Sequence, residues 1–319
     1  MSGLNYERVF NTLVAQTANY VTENNLHAMI LGISGGIDST VCAAICHEVS
    51  KKTGIPLIGR SLPTTFNKDN ENSTADLVGK AFCCDYKTVS INLTYKSLLS
   101  FIGTMENSML DLSGNVLYDI QGEFPKQQTN LANGNIQARL RMIYLYNLAS
   151  IHKGLVIDTD NLTEHNLGYW TIHGDVGDFN PIGGLWKTEV FELAKWLIDH
   201  YKDPHVRGYN EQATAIIMSL NLKPTAGLGI TNNDLEEIGA ESYDQVDAIL
   251  QEILAWKTFN NDNNITYTNK KDEKEAFLNE QQMLAYPIKI ISAIADRHFS
   301  SEFKRAKLPV VIERISYLI

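Results

Sequence analysis

The sequence has no surplus of positive charge. Its 27 lysines and arginines are outnumbered by 37 aspartates and glutamates, giving a net charge of −10 over 319 residues. A general nucleic-acid binder has the opposite balance, so that class is set aside, and only a local basic pocket for a small anion is retained. Cysteine is scarce. There are four, Cys42, Cys46, Cys83 and Cys84, with no C-x-x-C. Cys42 and Cys46 stand one helical turn apart among apolar neighbours and read as buried thiols. Adjacent Cys83 and Cys84 read as structural rather than as a redox pair. Nothing suggests a disulfide framework, which points to a reducing compartment. No apolar run approaches the ~18 residues that span a bilayer. The segment MSGLNYERVFNTLV lacks the basic-then-apolar order of a secretory signal. A cytoplasmic protein is expected, with no membrane and no nucleic-acid partner.

What is present is a composition suited to a large core, 44% hydrophobic and 20% charged. Apolar residues at helical spacing predict a helix over 5–24. Buried strands are expected at HAMILGI (27–33), IPLIGRSL (55–62), YKTVSINL (86–93) and GLVIDT (154–159). Helices are expected between them at 38–53, 70–82 and 135–152. This alternation predicts an α/β fold, a doubly wound parallel sheet with flanking helices. The chain after 185 reads as helical, and polar 257–275 as a solvated loop or helix end. Residues 104–131 break the pattern, with a hairpin expected at MLDLSGNVLYDI. In open parallel sheets, ligands bind beyond the carboxyl ends of the strands. GISGGIDS, LPTTFN and DTDNLTEH all fall there.

GISGGIDS (32–39) leaves a strand and opens a helix. The first turn of a helix has N–H groups without intrahelical partners and carries the positive end of the dipole, an arrangement that favours phosphate. Glycines let backbone wrap an anion, and Ser34 and Ser39 add hydroxyls. Asp38 is out of place against phosphate unless Mg²⁺ lies between them. The competing reading is a plain glycine turn with Asp38 or Ser39 as the N-cap. The Walker-type spacing and G-x-G-x-x-G are both absent.

SGGIDS resembles the pyrophosphate loop of the ATP pyrophosphatases. Further segments, in order, resemble the NAD synthetase family: NIQARLRM (135–142), TDNLTEHNLGYWTIHGDVGDFNPI (159–182), LWKT (185–188), KPTAGL (223–228) and EFKR (302–305). The resemblance implies an adenine nucleotide alpha hydrolase-like fold in one domain over 1–319, without a glutaminase domain. It assigns ATP to Gly32, Ile33, Ser34, Gly35, Gly36, Ile37, Asp38, Ser39, Arg60, Thr159, Lys187 and Thr225. It assigns Mg²⁺ to Asp38 and Glu164, which with Lys187 form the catalytic set, and deamido-NAD to Arg139, Asp178 and Lys304.

The implied reaction is amidation of deamido-NAD by ammonia through an acyl adenylate, in a homodimer. The chain departs from the family pattern where Ile172 replaces a lysine, Phe303 a histidine, Gly227 an aspartate and Asn67 a glutamine. Those changes bear on the acceptor rather than on ATP. An adenylating enzyme with another acceptor and a non-catalytic nucleotide-binding protein are the alternatives.

Overall fold

The computed structural model describes residues 4–106, 126–202, 209–223, 234–280 and 286–305. These fall into two compact units, Met1–Leu162 with Trp170–Glu237, and Thr163–Tyr169 with Ile238–Ile319. In the first unit, α1 (Tyr6–Glu23), β1 (Met29–Gly32), α2 (Ile37–Thr53), β2 (Leu57–Ser61), α3 (Asp69–Phe82) and β3 (Asp85–Thr88) follow in turn. Then come α4 (Asn92–Glu106), α5 (Lys126–His152) and β4 (Leu155–Ile157). The short α6 (Leu162–Leu167) lies, beyond Leu162, in the second unit, and α7 (Lys187–His200) and α8 (Glu211–Leu220) complete the main elements of the first.

The four strands are parallel, in the order β3-β2-β1-β4. Their side chains alternate between two cores. Met29, Leu31, Leu57, Leu155 and Ile157 join a cluster with residues of α1, α2, α3, α7 and α8. Ile30, Ile58 and Val156 face the other way, against Tyr95 of α4 and Leu140, Leu145 and Ala149 of α5. Helices therefore cover both faces, as a doubly wound parallel sheet requires. α2 is the central helix, with ten buried side chains over 17 residues. It ends at Gly54, whose φ of 75° and N–H to the Ser50 carbonyl close it with a left-handed cap.

After α9 (Asp234–Ile238), the second unit is built of α10 (Tyr243–Asp262), α11 (Lys270–Glu280), α12 (Ile288–Ser300) and α13 (Glu302–Arg305). Its core holds Trp256, Phe277 and Phe299, whose rings meet edge-on or tilted at 5.6–6.5 Å. Among the described residues no helix is long and apolar enough to cross a membrane.

Several boundaries differ from the sequence reading. α4 (Asn92–Glu106) occupies a stretch where no helix is expected, and α5 begins at Lys126, nine residues before the expected start at 135 and inside the 104–131 segment. β3 stops at Thr88, and Asn92 already opens α4. The polar run 257–275 is largely helical, continuing α10 to Asp262 and opening α11 at Lys270. Ion pairs one turn apart, Lys270–Glu273 and Lys271–Glu275, support a helix with little apolar surface. The hairpin expected at 109–120 lies outside the described residues.

All four cysteines are free, with Cys42 and Cys46 buried and Cys84 exposed. Burial pushes the Cys46 thiol far up, and raises Cys83 to about 12. A thiol-disulfide reagent at pH 8 should therefore label Cys84 rapidly in the folded protein, and all four thiols only after unfolding. Fast labelling of Cys46 in the native state would contradict this packing.

Candidate active site

The strand order reverses at β1. The chain moves outward through β2 and β3 on one side, then returns to place β4 on the other. The β1/β4 boundary is thus the topological switch point, where open α/β sheets leave a crevice beyond the strand ends. Leu31 pairs with Ile157, so the loops at 32–39 and 158–161 emerge side by side.

The glycine loop is shaped from behind. Gly35 adopts φ +84°, and a Cβ there would meet the Glu71 carbonyl oxygen at 2.7 Å and the Ala75 nitrogen at 2.8 Å. Only glycine lets the loop pass this close to α3. Ser34 Oγ and Ser39 Oγ lie 3.0 Å apart, and Ser34 also accepts from the Gly36 N–H at 3.2 Å. The N-cap of α2 is Gly36, with no side-chain cap. Asp38 and Ser39 lie inside the first turn, so the capping alternative for Asp38 gives way to another role.

Its carboxylate is instead held by two side chains. Asp38 Oδ2 is paired with Lys187 Nζ at 2.5 Å, and Asp38 Oδ1 accepts from Asn161 Nδ2 at 2.9 Å. Lys187 is the first residue of α7 and is 2% exposed. A cation at a helix N-terminus opposes the dipole, and burial opposes its charge; the Asp38 carboxylate compensates for both. Asp38, in contrast, has the α2 dipole in its favour. Thr159 is half-buried on the adjacent turn. Asp158 pins that turn, its Oδ1 accepting from Asp160 N–H at 2.8 Å and its Oδ2 from Gly177 N–H at 3.0 Å. Burial pushes the Asp158 carboxyl up despite those hydrogen bonds.

The donor chemistry fits a hard divalent cation. Asp38 offers carboxylate oxygens, and an ammonium already rests on one of them. Among the described residues no cluster of three His, Cys, Asp or Glu side chains forms a self-sufficient cage. A Mg²⁺ ion held by Asp38 would draw much of its coordination from phosphate and water.

α5 borders the same edge with two faces. Asn135 and Arg139, one turn apart, meet the 171–172 segment: Asn135 accepts from Thr171 Oγ1 at 2.8 Å, and Arg139 donates to the Ile172 carbonyl at 3.1 Å. Gln137 and Arg141 meet the segment after β2. Gln137 accepts from Thr64 Oγ1 at 2.7 Å, and Arg141 donates to Leu62 O at 3.1 Å and Asn67 Oδ1 at 3.2 Å.

A sequence profile of the family described as NAD synthase matches residues 9–307. The chain belongs to the NAD synthase family. It is 32% identical to the NH(3)-dependent NAD(+) synthetase of Methanocaldococcus jannaschii over 252 residues, 78% of this chain and 82% of that protein. Its fold is similar to that of an NMN synthetase from Francisella tularensis, with a TM-score of 0.67 and 24% identity over 98% of this chain and 100% of the other. It is also similar to an NH3-dependent NAD synthetase from Campylobacter jejuni, with a TM-score of 0.61 and 23% identity at the same coverages.

For this NAD synthase family member, the remaining sequence candidates fall as follows. Arg60 is buried, and its guanidinium pairs with Asp85 Oδ2 at 2.7 Å. Asp85 lies opposite Ile58, so Arg60 reaches back along the sheet and ties β2 to β3. Asp178 is exposed, with Oδ2 accepting from the Val156 N–H at 2.9 Å. Thr225 and Gly227 lie outside the described residues. Glu164, half-buried on α6, belongs to the second unit, as does Lys304. Lys304 Nζ donates to Gly168 O at 2.6 Å, and Arg305 to Asn166 O at 2.8 Å. The segment with Glu164 and the short helix with Lys304 are thus joined within that unit. Sequence reasoning missed Asn161 and Gln137. Their only signal was polar character at strand-end and helical positions that the structure buries.

Two outcomes are expected. Gly35→Ala should lower kcat/KM for ATP roughly tenfold or more and reduce thermal stability, because a positive φ and two backbone contacts are both violated. Normal ATP kinetics in that variant would contradict the geometry. Glu302 supports α13 through Lys257 at 2.9 Å and through Lys270. Burial alone would raise its carboxyl; hydrogen bonds from Lys270 and Lys257 outweigh this and hold it down at about 2. A carboxyl lowered by folding contributes stability that is complete above its unfolded value of 4.5 and is lost as pH falls toward about 2. Glu302→Gln should be less stable than wild type at pH 7, and thermal unfolding curves should converge as pH falls through that window.

Proposed function

We propose that this protein is an ammonia-dependent NAD synthase. The observation that carries the reading is the Asp38 carboxylate held between Lys187 and Asn161 beside the glycine loop. Membership of the NAD synthase family and the names of its NH(3)-dependent relatives support it. The carboxylate of deamido-NAD attacks the α-phosphorus of ATP. The bond to the β,γ-pyrophosphate breaks, leaving an acyl adenylate and pyrophosphate. Ammonia then adds to the acyl carbon, a proton is lost, and the C–O bond to AMP breaks to leave the amide of NAD.

The site must bring two anions together. In this reading the first-turn N–H groups of α2 hold ATP phosphates, with Gly32, Ile33, Ser34, Gly35, Gly36, Ile37 and Ser39 forming the cradle. Lys187, paired with Asp38 in the same unit, is assigned in this reading to neutralise charge on the leaving group. Mg²⁺, when bound, adds Lewis-acid screening of that charge. Asp38 would hold it, and Glu164 keeps the metal-ligand role that the resemblance gives it. Thr159 and Thr225 complete the ATP assignments; Arg60 would have to leave Asp85 to join them.

Deamido-NAD is assigned to Arg139, Asp178 and Lys304. Arg139 supplies a positive charge next to position 172, where the chain has isoleucine instead of the family's lysine. Ammonia needs positioning and exclusion of water rather than a general base. The reading also includes a homodimer, a cytoplasmic location and a single synthetase domain.

The test is one assay with ATP, Mg²⁺, ammonium and deamido-NAD, following NAD and pyrophosphate. NAD formation with stoichiometric pyrophosphate is expected, and Asp38→Asn should slow it roughly a hundredfold or more. Nicotinate mononucleotide serves as the competing acceptor, because one structural neighbour is named an NMN synthetase. Pyrophosphate release only with that acceptor would replace deamido-NAD in this reading. Near-normal turnover by Asp38→Asn would remove its metal-ligand role.

A further inference from the structure

We propose that Asn161 is a positioning residue that fixes the Asp38 carboxylate in the orientation required to receive a divalent cation. The inference rests on the metal-ligand role of Asp38 given above. Neither motif spacing nor the family resemblance assigns Asn161 any part.

Asn161 is fully buried, at 0% exposure. Its Nδ2 donates to Asp38 Oδ1 at 2.9 Å across 123 residues of sequence. The bond joins the turn after β4 to the first turn of α2, and so bridges the switch point itself. The terminal torsion of an aspartate is broad and roughly two-fold. One donor leaves the carboxylate free to rock, whereas donors on both oxygens from different elements hold its plane. Asn161 supplies one and Lys187 the other.

The two donors differ in kind. Lys187 is a cation on an extended, rotatable stem, and an arriving divalent cation competes with it for the same oxygen. Asn161 is neutral and does not compete. Its backbone is also held on both sides. Asp158 accepts from the Asp160 N–H, Asn180 Nδ2 donates to Asp160 O at 2.7 Å, and the Leu162 N–H donates to Leu185 O at 2.9 Å. An ionised carboxylate offers about four acceptor positions. Two are used here, and the Asp38 side chain keeps 17% exposure, so oxygen lone pairs remain for a cation. Asn161 therefore orients the ligand without occupying its metal-binding capacity, the function that outer hydrogen-bond partners perform at metal sites.

The probe is Mn²⁺ in the presence of a non-hydrolysable ATP analogue, with bound metal read by electron paramagnetic resonance. Wild type, Asn161→Ala and Asn161→Ser are compared, each checked for folding by circular dichroism. Loss of the amide should weaken Mn²⁺ binding roughly tenfold or more. The Mg²⁺ concentration for half-maximal turnover should rise in parallel, with kcat largely recovered at saturating Mg²⁺. Folded variants with wild-type Mn²⁺ affinity would overturn the proposal, as would loss of the fold in both variants, which would make Asn161 structural. If wild type itself binds no Mn²⁺ with the nucleotide, the metal role of Asp38 fails first, which separates the two readings.

Discussion

The position of β1 is the constraint from which the rest follows. It is hydrogen-bonded to β2 on one side and β4 on the other, and its residues Met29, Ile30 and Leu31 are fully buried. Alternate side chains go to two different cores, so a one-residue slip would exchange both sets and is strongly opposed. Fixing the register fixes where the strand ends. Gly32 is the last residue of β1, and the glycine loop starts there because the chain has run out of sheet. Because all four strands are parallel, the turns after β2 and β4 open on the same edge. The crevice is a consequence of strand order, before any catalytic side chain is considered.

Electrostatics at this edge is organised around one carboxylate. Asp38 is compatible with its place, at a helix N-terminus and partly exposed. Lys187 is not: it is buried and faces the positive end of its own helix. Breaking a buried ion pair by removing one partner costs about 3–5 kcal/mol, whereas keeping the pair adds little over a hydrophobic substitute. A packed apolar pair would therefore serve stability as well. The charged pair is therefore not required by packing alone, and it couples the first turn of α2 to the start of α7 at the strand ends.

The sheet and most of its helices were legible in the sequence because fully buried strands and amphipathic helices leave strong periodic signals. HAMILGI and GLVIDT mark β1 and β4 within one or two residues. YKTVSINL overran β3 because Val89 and Ile91 are apolar through packing against α4 and α5 rather than through strand pairing. The charged run at 270–275 concealed a helix because its support is ionic and local rather than apolar. At the site, residue types at motif positions were readable, but the direction of side chains was not. Arg60 resembles a strand-end arginine in one dimension. Register with Asp85 turns it back along the sheet. Asn161 gave no signal, since an asparagine in a turn is ordinary until burial and a partner 123 residues away are known.

α5 shows how one helix ties two segments of this edge together. Residues 135 and 139 lie on one helical face and 137 and 141 on the opposite one, so a single helix holds the 171–172 and 62–67 segments at once. Arg141 is the structural member of this set. Burial lowers its pKa, and Asp175 and Glu71 act in the opposite direction. Arg139 is exposed, and its contact with the Ile172 carbonyl is a single hydrogen bond. Of the two arginines, Arg139 is the exposed one, whereas Arg141 is committed to Leu62 and Asn67. The helix thus separates holding the loops from presenting charge, and a cation at position 172 is not required for a positive charge to stand beside it.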